Sequence, residues 1–184
     1  MRRLAAAVLV LVLSVVFAAI SHAGETYYAR CNLKIAKGKY ISWINWQHAP
    51  EFIPVNTKLE IVVKGAEAIV TRQDNGKSYK MDYGTEGEAY LGKFLSRNAV
   101  DLSIFPEDVQ ASIKASTISL GMTKEQVYIS MGPPSLLMHT NTTGNTYEQI
   151  LTSNQWSYTS RRWGNYIKIV FDAKSGKVIG KEGI

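Results

Sequence analysis

Apolar and polar residues alternate with a period of two over residues 155–160 and 165–172. This puts Trp156 and Tyr158 on one strand face, and Ile167, Ile169 and Phe171 on one face of the next strand. These are the predicted core faces. Asp172-Ala-Lys-Ser-Gly176 reads as a hairpin turn and residues 177–180 as a returning strand. Upstream, beyond a polar loop, Thr123 and Gln126 have capping-box spacing, Met122 and Val127 fit a hydrophobic staple, and Met131 shares a helix face with Val127. Gly132-Pro-Pro134 ends this helix, because glycine accepts positive φ and proline cannot continue the ladder. Pro106, read as the first helical residue, with Glu107 and Asp108 in the first turn predicts an earlier helix, with Val109 and Ile113 towards the core. Tyr90 with Phe94 and Leu91 with Leu95 stand at i,i+4 spacing, which predicts a short docked helix over 86–95.

The front of the chain has a different texture. Residues 25–35, 40–46, 58–63, 68–72 and 77–82 are short segments rich in β-branched and aromatic residues. Lys37-Gly38 and Asp74-Asn75-Gly76 are hairpin-type turns between them, and Pro50 and Pro54 interrupt a longer loop. Short strands at this density predict a small antiparallel barrel of SH3-like kind. In Tyr40-Ile-Ser-Trp-Ile-Asn-Trp46, Ile41 and Trp43 face one way while Ile44 and Trp46 face the other, and a small barrel has one inside. Either Trp43 or Trp46 lines an aromatic recognition groove, or the exposed one seals the contact with the following module.

The ends and the charge narrow the function classes. Met1-Arg-Arg3, the apolar run to Ile20 and Ser21-His-Ala23 have the three regions of a secretory signal peptide, with cleavage expected after Ala23; the other reading is a retained anchor helix. The chain carries a formal charge of +6, and loss of Arg2 and Arg3 lowers it by two. Such a mildly basic surface favours anionic partners, while the lack of a basic run argues against nucleic acid. With Cys31 as the single cysteine, no disulfide can form within the chain. Cys31 is expected to be a buried strand residue, with a reactive thiol as the other reading.

The order Gly-Met-Thr-Lys-Glu-Gln-Val, a Gly-Pro helix stop, Trp-x-Tyr, and Ile-x-Phe-Asp-x-x-x-Gly-x-Val resembles the SmpA/OmlA (BamE-like) family of small outer-membrane assembly lipoproteins. The likeness covers roughly the last 75 residues of the chain. It implies a two-helix, three-stranded antiparallel α+β domain, no catalysis, and partners among the outer-membrane assembly components and anionic phospholipid. In lipoprotein members a cysteine directly follows the signal, whereas Cys31 here follows Tyr27-Tyr-Ala-Arg30, so no lipobox cysteine is present. The resulting organisation is α+β throughout: signal peptide 1–23, SH3-like barrel 24–84, connector with a short helix 85–105, and BamE-like domain 106–184.

Candidate chemistry adds little to this picture. His48 and His139 lack partners at ligand spacing, so no metal or cofactor is expected. No Gly-x-Ser-x-Gly elbow or phosphate loop occurs, and Glu86, Glu88, Glu107 and Asp108 read as connector and helix-start charges. Asn141-Thr-Thr143 is a formal sequon in the polar loop. The best contact surface is the hairpin Tyr158-Thr-Ser-Arg-Arg-Trp-Gly164. Arg161 and Arg162 can grip carboxylate or phosphate, with Trp163 as an amphipathic anchor; the other reading is a solvated turn. The resemblance implies that Tyr158 and Arg161 stand at the family's partner edge, with Trp163 replacing the aromatic that some members place at Ser160. The expected function is a non-enzymatic exported binding or scaffold protein of the cell envelope, with periplasmic partners. A soluble inhibitor of an exported enzyme is the alternative.

Overall fold

The computed structural model describes residues 25–41, 51–82, 87–159 and 166–183. Its first half is a run of strands: β1 (Glu25–Ala29), β2 (Leu33–Ala36), β3 (Tyr40–Ile41), β4 (Phe52–Ile53), β5 (Lys58–Lys64), β6 (Glu67–Arg72) and β7 (Ser78–Asp82). A short helix α1 (Glu88–Phe94) and strand β8 (Leu95–Ser96) follow. These strands form an eight-stranded sheet in the order β4-β2-β3-β7-β6-β5-β1-β8. The expected closed barrel is not found: among the described residues β4 and β8 end the sheet rather than pairing with each other. Nor is the pairing wholly antiparallel, since β3 runs parallel to β7 with Tyr40 opposite Lys80. Lys37 and Gly38 both take positive φ to turn β2 into β3, which sends β3 in the same direction as β7.

One expected strand, 25–35, is two. The ladder breaks at Arg30–Asn32 because Asn32 turns away from the sheet and bonds to helices of the second half. Its backbone N–H donates to Ile129 O at 3.0 Å, and its side-chain amide donates to Ile113 O at 2.6 Å and Ser130 O at 3.1 Å. Its side-chain oxygen accepts the Val55 N–H at 3.0 Å. Asn32 is thus a buried polar rivet with its side-chain hydrogen bonds well used.

The second half begins with a single 3₁₀ turn at Leu102–Ile104, then α2 (Glu107–Lys114) and α3 (Lys124–Met131). Pro106 occupies the cap of α2 and not its first helical position, so the helix starts one residue later than expected, with Glu107 and Asp108 in its first turn. In α3 both bonds of the capping box form between Thr123 and Gln126, and Gly132 ends the helix at φ 78. Residues 127–131 of α3 are all buried, since the helix is covered both by its own sheet and by the first half of the chain. The sheet runs β10-β9-β11-β12-β13, with β9 (Leu136–Leu137), β10 (Thr140–Asn141), β11 (Gln155–Thr159), β12 (Tyr166–Phe171) and β13 (Val178–Glu182). Its last three strands are the antiparallel set expected from the sequence. Helix α4 (Tyr147–Thr152) and the β9–β10 hairpin occupy what read as a polar loop.

Trp156 lies at the centre of the core. Its ring meets Phe171 at 4.8 Å and Tyr128 at 6.1 Å in edge-on geometry, and its Nε1–H donates to Ile150 O at 3.2 Å. Tyr128 in turn meets Tyr147 at 4.8 Å and donates its hydroxyl to Lys93 O at 2.9 Å, tying α3 to α1. Buried residues of both halves, from Ala29 to Val178, form one hydrophobic cluster.

Candidate functional site

The alternation that makes β11 and β12 a core also makes their other face a surface. Trp156 and Tyr158 point inward opposite Ile169 and Ile167, leaving Gln155, Ser157, Tyr166 and Lys168 on the far side. That far side carries a groove of about 340 Å³, lined by these four residues with Leu136, Met138 and His139. Met138 turns the β9–β10 hairpin at φ 55, and its backbone N–H donates to Gln155 O at 3.1 Å. Held there, Met138 is 61% exposed across the groove from Tyr166, 51% exposed. Lys168 Nζ lies 3.5 Å from the Glu182 carboxylate, a half-exposed pair with little intrinsic stabilising value. A rim of one thioether, one phenol and one lysine around a shallow sheet face suits a peptide or protein segment.

Tyr158 is corrected by the structure. It is 2% exposed and donates its hydroxyl to Gly132 O at 3.2 Å, with burial holding its pKa well above the ordinary value. It is a core residue that braces the end of α3, and no partner can reach it. Arg161, Arg162 and Trp163, which continue from β11, and Trp43 and Trp46 lie outside the described residues. Of the groove residues, the sequence reading weighed only His139 for chemistry, and set it aside as a metal ligand. The available signal was the polar register of β12, in which Tyr166 and Lys168 alternate with the apolar Ile167 and Ile169. Met138 gave none, because methionine at positive φ in a two-residue turn has no sequence signature.

A second arrangement has the look of chemistry. Lys34 Nζ donates to Ser116 Oγ at 2.6 Å, Ser116 has φ 53, and burial pulls the Lys34 ammonium down to about 8. A lysine with depressed pKa beside a serine is the make-up of a base and nucleophile pair. Its surroundings exclude that use. Ser116 and Lys34 are both buried, and the Ser116 hydroxyl donates to Ser130 O at 2.9 Å. The positive φ has a structural cause as well: Ser116 N–H bonds to Ile113 O and Thr117 N–H to Ser112 O, which is the Schellman closure of α2. The backbone donors next to the serine are therefore spent on the helix end, and none is left for an oxyanion. Cys31, close by, is fully buried, and desolvation lifts its thiol to about 12, so it holds its proton at neutral pH.

Among the described residues no group of three or more His, Cys, Asp or Glu side chains comes together to hold a metal ion, and no helix is long and apolar enough to cross a membrane. No family model, curated protein or solved structure matches the chain.

Proposed function

We propose that this chain is a non-enzymatic binding or scaffold protein of the bacterial cell envelope, which captures a protein partner on the outer face of its C-terminal sheet. The observation that carries the reading is the groove bounded by Met138, Tyr166 and Lys168, built on strands whose opposite face is the core. A rigid sheet presenting exposed Met and Tyr side chains loses little entropy when a partner settles on it. The groove includes Tyr166, the first residue of β12, and the stretch between β11 and β12 carries Arg161, Arg162 and Trp163. In this reading the arginines supply charge-assisted contacts to an acidic partner segment or an anionic phospholipid headgroup, and Trp163 the apolar anchor.

The order α2, α3, β11, β12, β13, with its capped second helix and glycine stop, supports assigning residues 106–184 to the SmpA/OmlA (BamE-like) type, and the strands before it to an opened SH3-like type. Export through the signal at residues 1–23 would bring the protein to the periplasm, where outer-membrane assembly components are the proposed partners.

The test is crosslinking of the full chain in native cells followed by mass spectrometry of what is captured. Tyr166→Ala with Met138→Ala, and separately Arg161→Ala with Trp163→Ala, are expected to fold normally and to lose the captured partner. Undiminished capture by both double variants would sink the reading, and a stable complex with one soluble enzyme would replace it with the inhibitor alternative.

A further inference from the structure

A second groove lies between β1 and α1, away from the sheet face just described. It has a volume of about 190 Å³ and is lined chiefly by Tyr27, Arg30, Glu88, Leu91, Leu95 and Arg97. Two guanidinium groups reach it, each over a tyrosine ring. Arg97 Cζ sits 4.0 Å from the Tyr27 centroid, and its Nη2 donates to Glu25 Oε2 at 2.6 Å. The same carboxylate oxygen accepts the Tyr27 hydroxyl at 2.6 Å, so the charge of Arg97 is already compensated. Desolvation first, and this carboxylate second, push the Tyr27 phenol up to about 12, which keeps it a hydrogen-bond donor.

Arg30 is different. Its Cζ lies 4.3 Å from the ring centroid of Tyr147 on α4, its Nε donates to Leu95 O at 3.3 Å, and its backbone N–H donates to Phe94 O at 2.8 Å. Glu88 shares the groove and Glu148 is near enough to feel the charge, yet among the described residues no carboxylate pairs with Arg30 within 4.0 Å. A guanidinium fixed by its Nε and one face is pre-organised, and its terminal nitrogens have the fork geometry that matches two oxygens of one oxyanion.

We propose that Arg30 anchors a carboxylate-binding site in this groove, for a short acid or chain terminus whose aliphatic stem rests against Leu91 and Leu95. Two features select this class. The groove lies below the roughly 300 Å³ at which drug-sized ligand pockets begin, so it takes a small group. Glu88 brings negative charge to the same groove, which disfavours a phosphate dianion relative to a monoanionic carboxylate.

The experiment is an NMR titration of the ¹⁵N-labelled full chain with sodium propionate, against sodium chloride at matched ionic strength. The expected result is a saturable shift of the Arg30 Nε–Hε resonance with Kd on the order of 1 mM, the scale of a single small-ligand contact, while the Arg97 resonance stays in place. Arg30→Met is expected to lose the accompanying changes at the Leu91 and Leu95 amides, and Arg97→Met to keep them. No saturable shift, an equal response to chloride, or retention of binding in Arg30→Met would overturn the site, and tighter binding of inorganic phosphate would overturn the carboxylate assignment. If Arg30→Met fails to fold, the wild-type Arg30 resonance decides alone.

Discussion

Lys34 is held in a place where a lysine is expensive to keep charged. It is 3% exposed, with Ser116 Oγ and the Phe52 ring as neighbours, the ring centroid 4.8 Å from Nζ, and no carboxylate among the groups that shift its pKa. Its pKa falls from the ordinary 10.5 to about 8 because burial penalises the ammonium. Between those two values the unfolded chain keeps a proton on Lys34 that the folded chain has released, so stability rises with pH across that window and is level, for this group, below it. Lys34→Met is therefore expected to match the parent or exceed it by ~1–2 kcal/mol at pH 7, and to remove that rise from urea-melt stabilities measured between pH 8 and 10.5. A variant less stable at pH 7 that keeps the rise would show the ammonium to be a net stabiliser. Tyr158 supplies a contrasting case. Tyr158→Phe should cost about 1 kcal/mol through the lost bond to Gly132 O and leave partner capture unchanged, which separates its bracing role from the surface role the family resemblance implied.

Elements were legible where a local rule acts alone. Thr123 and Gln126 announced α3 because both bonds of a capping box close within one turn, and Asp172 announced its turn because its carboxylate accepts Lys174 N–H and Ser175 N–H whatever surrounds it. Helix α1 was legible from Tyr90 and Phe94, whose rings indeed meet at 5.3 Å. Where tertiary partners decide, the reading failed. Thr146 and Gln149 form a capping box as complete as that of α3, but α4 has six residues and too little apolar period to stand out in a polar stretch. Phe52–Ile53 pairs with Leu33–Lys34 although Pro54 follows directly, because two ladder residues at a sheet end need no long strand signal. The break in the first strand was invisible because Asn32 is explained only by carbonyls more than eighty positions away. Since α4 owes its start to one cap and its position to Tyr147 against Tyr128, Thr146→Ala is expected to cost about 1 kcal/mol. Hydrogen exchange should show the loss as faster opening of residues 147–152, and unchanged protection there would mean that packing alone holds the helix.

Across the whole molecule, two stretches of unlike texture share buried bonds that neither can make alone. Asn32 joins β2 to the ends of α2 and α3, Lys34 reaches Ser116, Tyr128 reaches Lys93 O, and Lys93 Nζ bonds to the carbonyls of Thr142 and Thr143. Such contacts couple the stability of the halves, because separating them strands polar groups in an apolar setting as well as exposing the faces of α1 and α3. Asn32→Ala isolates this coupling. It removes the acceptor of the part-buried Val55 N–H and a donor to Ile113 O and Ser130 O, while both carbonyls keep a second partner in Ser116. The expected cost is about 2–4 kcal/mol, from one orphaned N–H and two lost bonds. If the halves fold as one unit, hydrogen exchange in Asn32→Ala should accelerate by the same factor in β6, three strands from β2 in the first sheet, and in β12, in the second. Acceleration confined to the strands around residue 32 would instead show two units that unfold separately, with Asn32 serving only to dock one against the other.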